Sequence, residues 1–179
     1  MKRLLVFFTT LGLFGCAVLA GCASVTPQDY RNEKPVFDLT QYFNGSVDAW
    51  GMFQDRSGKV VKRFNVEMAC KWVGNVGTLD ENFTYSDGKK ERRVWTITKL
   101  SANAYKGAAA DVIGEAKGEA YGNALRWRYV LNLKVDDKFH EVNFDDWMYQ
   151  MDDRMMINRA VMSKFGVELG QITLSFRKR

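Results

Sequence analysis

From Phe43 onward, apolar and polar residues alternate with period two, the pattern of strands that bury one face. In "VVKRFNVEMACKW", Phe64, Val66, Met68, Cys70 and Trp72 share one parity, while Arg63, Asn65, Glu67 and Lys71 take the other. In "ALRWRYVLNLKV", Leu125, Trp127, Tyr129, Leu131 and Leu133 oppose Arg126, Arg128, Asn132 and Lys134. "LDENFTYS" and "RRVWTITKL" flank Asp87-Gly88, a strong hairpin signal. "GSVDAWGMF", "FHEVNFDDWMYQM", "MMINRAVMSKF" and "VELGQITLSF" read as further strands, separated by turns such as "QDRSGK", "DDK" and "DDR". The stretch "YKGAAADVIGEAKGEAYGNA" is less clear, and suits either short strands or a brief helix near Ala108–Ile113.

Two changes of parity predict β-bulges. Val142 and Phe144 give way to Trp147, Tyr149 and Met151 at Asp145-Asp146, and Val167 and Leu169 give way to Ile172, Leu174 and Phe176 at Gly170. The rival account is that both faces are partly apolar there. Nine or ten strands with short connections and almost no helix predict an all-β protein. The favoured architecture is an antiparallel up-and-down, lipocalin-like β-barrel of about eight to ten strands, ahead of a sandwich. A barrel of that size encloses room for a small ligand.

The chain ahead of the strands behaves differently. Met1-Lys2-Arg3 is followed by an apolar run from Leu4 to Ala20, the layout of a secretory signal. The run barely reaches the length of a transmembrane helix, and no Lys/Arg cluster follows it. Leu19-Ala20-Gly21-Cys22 resembles the lipobox of bacterial lipoproteins. The resemblance implies cleavage before Cys22 and acylation of that residue, with Cys16 discarded in the signal. Several acyl chains anchor a protein stably where one does not. Ala23 follows the cysteine where Asp would favour inner-membrane retention, so the resemblance implies the outer membrane, periplasmic face. The expected organisation is a signal over 1–21, a lipidated tether over 22–40 that holds both prolines, and a barrel over 41–179.

Composition narrows the function. Removal of 21 of the 179 residues leaves 158, enough for one domain. The mature chain has 24 basic and 21 acidic residues, a balance of +3 without a dense basic patch, which argues against nucleic acid. With Cys22 acylated, Cys70 has no intrachain partner and reads as an inert core thiol. Stability must come from a core that the aromatic residues, 13% of the chain, can supply.

The closing stretch "DDWMYQMDDRMMINRAVMSKFGVELGQITLSFRK", with "GNALRWRYVLNL" before it, resembles a family of short bacterial lipoproteins known as domain of unknown function 3833. The resemblance covers essentially the whole mature chain. It implies lipoprotein processing and a lipocalin-like barrel, and it brings no reaction, substrate or catalytic residue.

Catalytic signals are thin. His140 is the one histidine, and no serine elbow accompanies it. Asp145-Asp146 and Asp152-Asp153 invite a calcium reading, but neither follows a known loop spacing, and Asp favours turns. Asn82-Phe83-Thr84 matches a glycosylation sequon that means little in a bacterial setting. Five of the seven methionines left after processing lie between Met148 and Met162. They read as core filling or as the soft wall of a lipid-sized pocket. The candidate barrel lining is Trp127, Tyr129, Leu131, Trp147, Met148, Tyr149 and Met156. A membrane-spanning barrel is disfavoured because the opposite strand faces are rich in charge.

The expectation is therefore a lipid-anchored envelope protein that binds or carries a hydrophobic, lipid-like molecule. It would have no catalytic residues, metal or cofactor and would not be an enzyme. The alternative is a structural or accessory subunit that docks on an envelope protein complex through its outer surface. Enzymatic use of His140 or the acidic pairs is the third option.

Overall fold

Every alternating stretch forms a strand. The computed structural model describes residues 24–135 and 137–179, so Cys16, Cys22 and the expected signal lie outside the described residues. The strands are β1 (Gly45–Asp55), β2 (Val60–Val73), β3 (Val76–Tyr85), β4 (Lys90–Lys99), β5 (Ala104–Ala108), β6 (Val112–Tyr121), β7 (Ala124–Val135), β8 (Lys138–Gln150), β9 (Met155–Lys164) and β10 (Val167–Lys178). Each pairs antiparallel with its sequence neighbour, and β1 pairs with β10, so the meander closes into a ten-stranded barrel without a free edge.

The ambiguous Gly/Ala stretch forms β5 and β6 rather than a helix. Its inner positions are small because Trp127 fills the space in front of them. A Cβ at Gly107 would lie 2.6 Å from the Trp127 ring, and one at Gly118 would overlap it.

Of the two expected bulges, one is present. The β9–β10 register shifts between Glu168 and Gly170, where Gly170 lies too close to the Gln54 carbonyl to admit a side chain. The other is absent. The β7–β8 register runs unbroken from Ala124↔Tyr149 to Val135↔Lys138, so Val142, Phe144, Asp146 and Met148 share one face. Trp147 and Tyr149 are apolar residues on the outer face. They stack on each other at 6.0 Å and are covered by Tyr30, at 5.9 and 5.5 Å. That cover explains the apolar pair without a change of face.

The segment expected as a bare tether also packs. Pro27–Tyr30 forms a 3₁₀ turn, and α1 (Leu39–Tyr42) closes one end of the barrel. Phe37, Leu39, Tyr42 and Phe43 are all buried. Phe37 N–H donates to the Gly122 carbonyl (2.7 Å), Tyr42 O–H to Arg154 (2.9 Å) and Trp72 Nε1–H to Phe43 (2.8 Å). Apolar burial, not sequence period, holds this short stretch in place.

Asp38 fixes the start of α1. Its carboxylate accepts from the Thr40 N–H (2.9 Å) and pairs with Lys99 Nζ (3.0 Å). Asp38→Ala is expected to lower stability by about 1–2 kcal/mol, through loss of a cap and a part-buried ion pair. Urea unfolding checks this; an unchanged midpoint would mean that packing alone holds the plug.

The outer wall carries exposed Asn65, Glu67, Lys71, Asn82, Arg92 and Arg128. Among the described residues, no helix is long and apolar enough to cross a membrane.

Candidate functional site

The inward residues do not fill the barrel. They enclose a cavity of about 630 Å³, within the roughly 300–1,000 Å³ typical of small-molecule sites. Leu39 and Phe43 line its plugged end, and Val61, Lys62, Lys89 and Lys134 line its mouth. The wall between is mainly apolar and aromatic. Trp95 meets Trp127 and Tyr129 edge-on (5.8 and 5.4 Å), and Tyr129 stacks on Phe144 at 4.9 Å.

Charged residues interrupt this wall. Glu81 on β3 stands directly opposite Arg93 on β4 in the ladder. Arg93 Nε donates to both oxygens of Asp111 (3.1 and 2.9 Å) and Nη2 to one of them (2.7 Å). The guanidinium also lies 5.6 Å from the Phe83 ring centre. Asp146 on β8 lines the same cavity and is 8% exposed. Its Oδ2 has the Tyr129 hydroxyl at 3.5 Å, a long contact, and its Oδ1 has no hydrogen-bond partner among the described residues.

Burial pushes the Glu81 carboxyl up to about 7, against the opposing pull of Arg93. Burial also pushes Asp146 up to about 7; neighbouring Asp145 adds to the rise, and Arg93 opposes it. The cavity thus holds two carboxyl groups poised near neutrality in an apolar chamber. Elsewhere, burial pushes the core thiol of Cys70 up to about 12, which makes it a poor nucleophile.

Of the residues expected to line the barrel, Trp127, Tyr129, Leu131 and Met148 face the cavity. Met156 is fully buried, in the core cluster with Phe43 and Phe176, and does not line it. Trp147 and Tyr149 stand on the outer wall, because the expected bulge in β8 is absent. The acidic pairs do not converge. Asp145 bonds outward to Arg126 (2.7 and 2.6 Å) while Asp146 faces inward. Asp152 serves its turn, accepting from Arg154 and Met155 N–H. His140 lies 3.2 Å from Lys164 Nζ, near the mouth.

Glu81, Arg93 and Asp111 are absent from the sequence expectation. The signal for Glu81 and Arg93 was a charge on the apolar parity of a strand; Asp111, in the turn between β5 and β6, carried none. Glu81 shares parity with Leu79 and Phe83, and Arg93 with Trp95 and Ile97.

A family profile described as "Protein of unknown function (DUF3833)" matches residues 16–178. No curated protein matches the chain. Two solved structures are similar in fold. The S-type phycobiliprotein lyase CPES from Guillardia theta gives a TM-score of 0.56 over 78% of this chain and 90% of that one, at 8% identity. Rv2717c from M. tuberculosis gives 0.59 over 83% and 99%, at 13% identity. The expectation that the chain is not an enzyme is corrected here. It rested on the lack of a recognisable catalytic set, and a protein named a lyase is built on the same fold. At such low identity the likeness shows the fold alone and carries no reaction across.

Proposed function

We propose that this chain, which belongs to the DUF3833 family, holds a hydrophobic, lipid-like small molecule in its barrel while anchored to the bacterial envelope through Cys22. The open cavity carries the reading. An accessory protein that works only through its outer surface has no need of a chamber of about 630 Å³ walled by Trp95, Trp127, Tyr129 and Phe144.

In this reading residues 1–21 are removed as a signal. Cys22 is acylated, and the domain faces the periplasm from the outer membrane. The lipobox-like Leu19-Ala20-Gly21-Cys22 supports the anchor, and the family match spans it. The mouth end bears exposed apolar side chains, among them Phe139 and Phe165, the latter 91% exposed at the β9–β10 turn. They suit uptake of an apolar ligand from a membrane surface.

Native mass spectrometry of the mature chain, residues 22–179 with Cys22→Ser to keep it free of acyl groups, tests the binding. A mass adduct of lipid size, or uptake of a supplied amphiphile, is expected. A chain that neither carries nor acquires any such molecule would overturn the proposal. In the intact protein, Cys22→Ser is expected to abolish incorporation of labelled palmitate, because the acyl-accepting thiol is gone; incorporation equal to that of the native chain would contradict the anchor.

A further inference from the structure

The arrangement of charge inside the cavity points to a ligand class. Among the described residues, the apolar wall of the cavity carries two carboxyl groups, Glu81 and Asp146, and a single guanidinium, Arg93, which reaches outward to part-exposed Asp111. Asp111 takes the Arg93 Nε–H, shared between its two oxygens, and one Nη2–H, and Glu81 stands opposite Arg93 in the ladder. Acceptors are therefore in excess, and the cation is engaged. Asp146 is the extreme case: it is 92% buried, it lines the cavity, and its Oδ1 has no partner among the described residues. A buried acceptor left unsatisfied costs about 1–3 kcal/mol, more for a charged group, so a donor that reaches it is held strongly.

We propose that the cavity takes an amphiphile whose polar end donates hydrogen bonds and carries no negative charge, such as a long-chain alcohol, amide or amine, and that this end docks on Asp146. The proposal rests on the reading of the cavity as a ligand site. The apolar tail lies along Trp127, Phe144, Met148 and Leu174, all of which line the same chamber. A fatty-acid carboxylate fits poorly, because it would set a further acceptor against Asp146 and Glu81. The lysines at the mouth offer an anion little: Lys62, Lys89 and Lys134 lie 3.9, 2.6 and 2.8 Å from Asp87, Glu91 and Asp137.

Calorimetric titration of the mature chain with dodecanol, dodecylamine and dodecanoate, matched in tail, tests this at pH 8.5, above the value of about 7 to which burial pushes Asp146, so that its carboxyl is charged. Dodecanol and dodecylamine are expected to bind about 10- to 100-fold more tightly than dodecanoate, the range for a hydrogen bond to a charged acceptor. Asp146→Asn keeps the shape and removes the charge, and is expected to narrow that gap to about twofold, with thermal unfolding confirming an intact fold. Equal binding of dodecanoate would overturn the proposal. So would a preference that Asp146→Asn leaves unchanged, or one that Lys62→Gln and Lys134→Gln alter instead. Failure of all three probes to bind would overturn the cavity reading itself, which separates the two failures.

Discussion

Trp127→Ala is expected to lower the free energy of unfolding by about 3–5 kcal/mol, the range for deletion of a buried large aromatic. For a chain of this size that corresponds to a fall in Tm of about 6–20 °C. Trp127 is 4% exposed and packs edge-on to Trp95 at 5.8 Å. Behind it, Gly107 and Gly118 leave room for the indole and for nothing else. Neighbouring side chains cannot collapse into the gap, because the glycines have none and the front is already open cavity. A double-mutant cycle sharpens the test. Gly118→Val alone is expected to cost about 1–3 kcal/mol through overlap with the ring. Combined with Trp127→Ala it is expected to cost less, because the obstructing ring is gone. Strictly additive losses would mean that the glycine serves its strand rather than the tryptophan.

This pairing also shows why the barrel was largely legible in the sequence while its interior was only partly so. Alternation identifies a strand when one face is large and apolar, as in β2 and β7. It falls silent where the inner face is Gly107, Ala116, Gly118 and Ala120, of which the two glycines leave room for one indole on another strand. It misleads where an outer face is apolar for a separate reason. Trp147 and Tyr149 are covered by Tyr30, a residue distant in sequence, and nothing local in β8 announces that cover. The same misreading hid Asp146, which stood in the expected bulge and so was not placed inside. Glu81 and Arg93 were visible as charges on apolar parity, but their meaning needs the third dimension: only barrel closure brings β3, β4 and β8 around one chamber.

Arg93→Met is expected to produce a loss that depends on pH. Removal of one partner of a buried ion pair typically costs about 3–5 kcal/mol, because the other charge stays buried and uncompensated. Asp111 retains contact with water, its side chain being 37% exposed, so the expected loss near pH 8 is about 3 kcal/mol, at the low end. The pH dependence follows from Glu81 and Asp146. In the unfolded chain these carboxyls titrate near 4, but in the fold burial holds both at about 7. Between those values the folded state binds more protons, so stability falls as pH rises from about 4 to 7 and then levels off. Arg93 opposes the rise at both groups. Without it their folded values climb further and the decline continues above pH 7. Near pH 5 both groups are protonated in the fold with or without Arg93, and only the exposed side of Asp111 is affected, so the loss there is expected to be about 1 kcal/mol. Urea midpoints near pH 5 and pH 8 read the difference directly. Adding Glu81→Gln to the variant is expected to recover part of the loss near pH 8 and little near pH 5. An equal loss at both pH values, or no recovery with Glu81→Gln, would mean that Arg93 acts through packing on Phe83 rather than by compensating the carboxyl groups of the chamber.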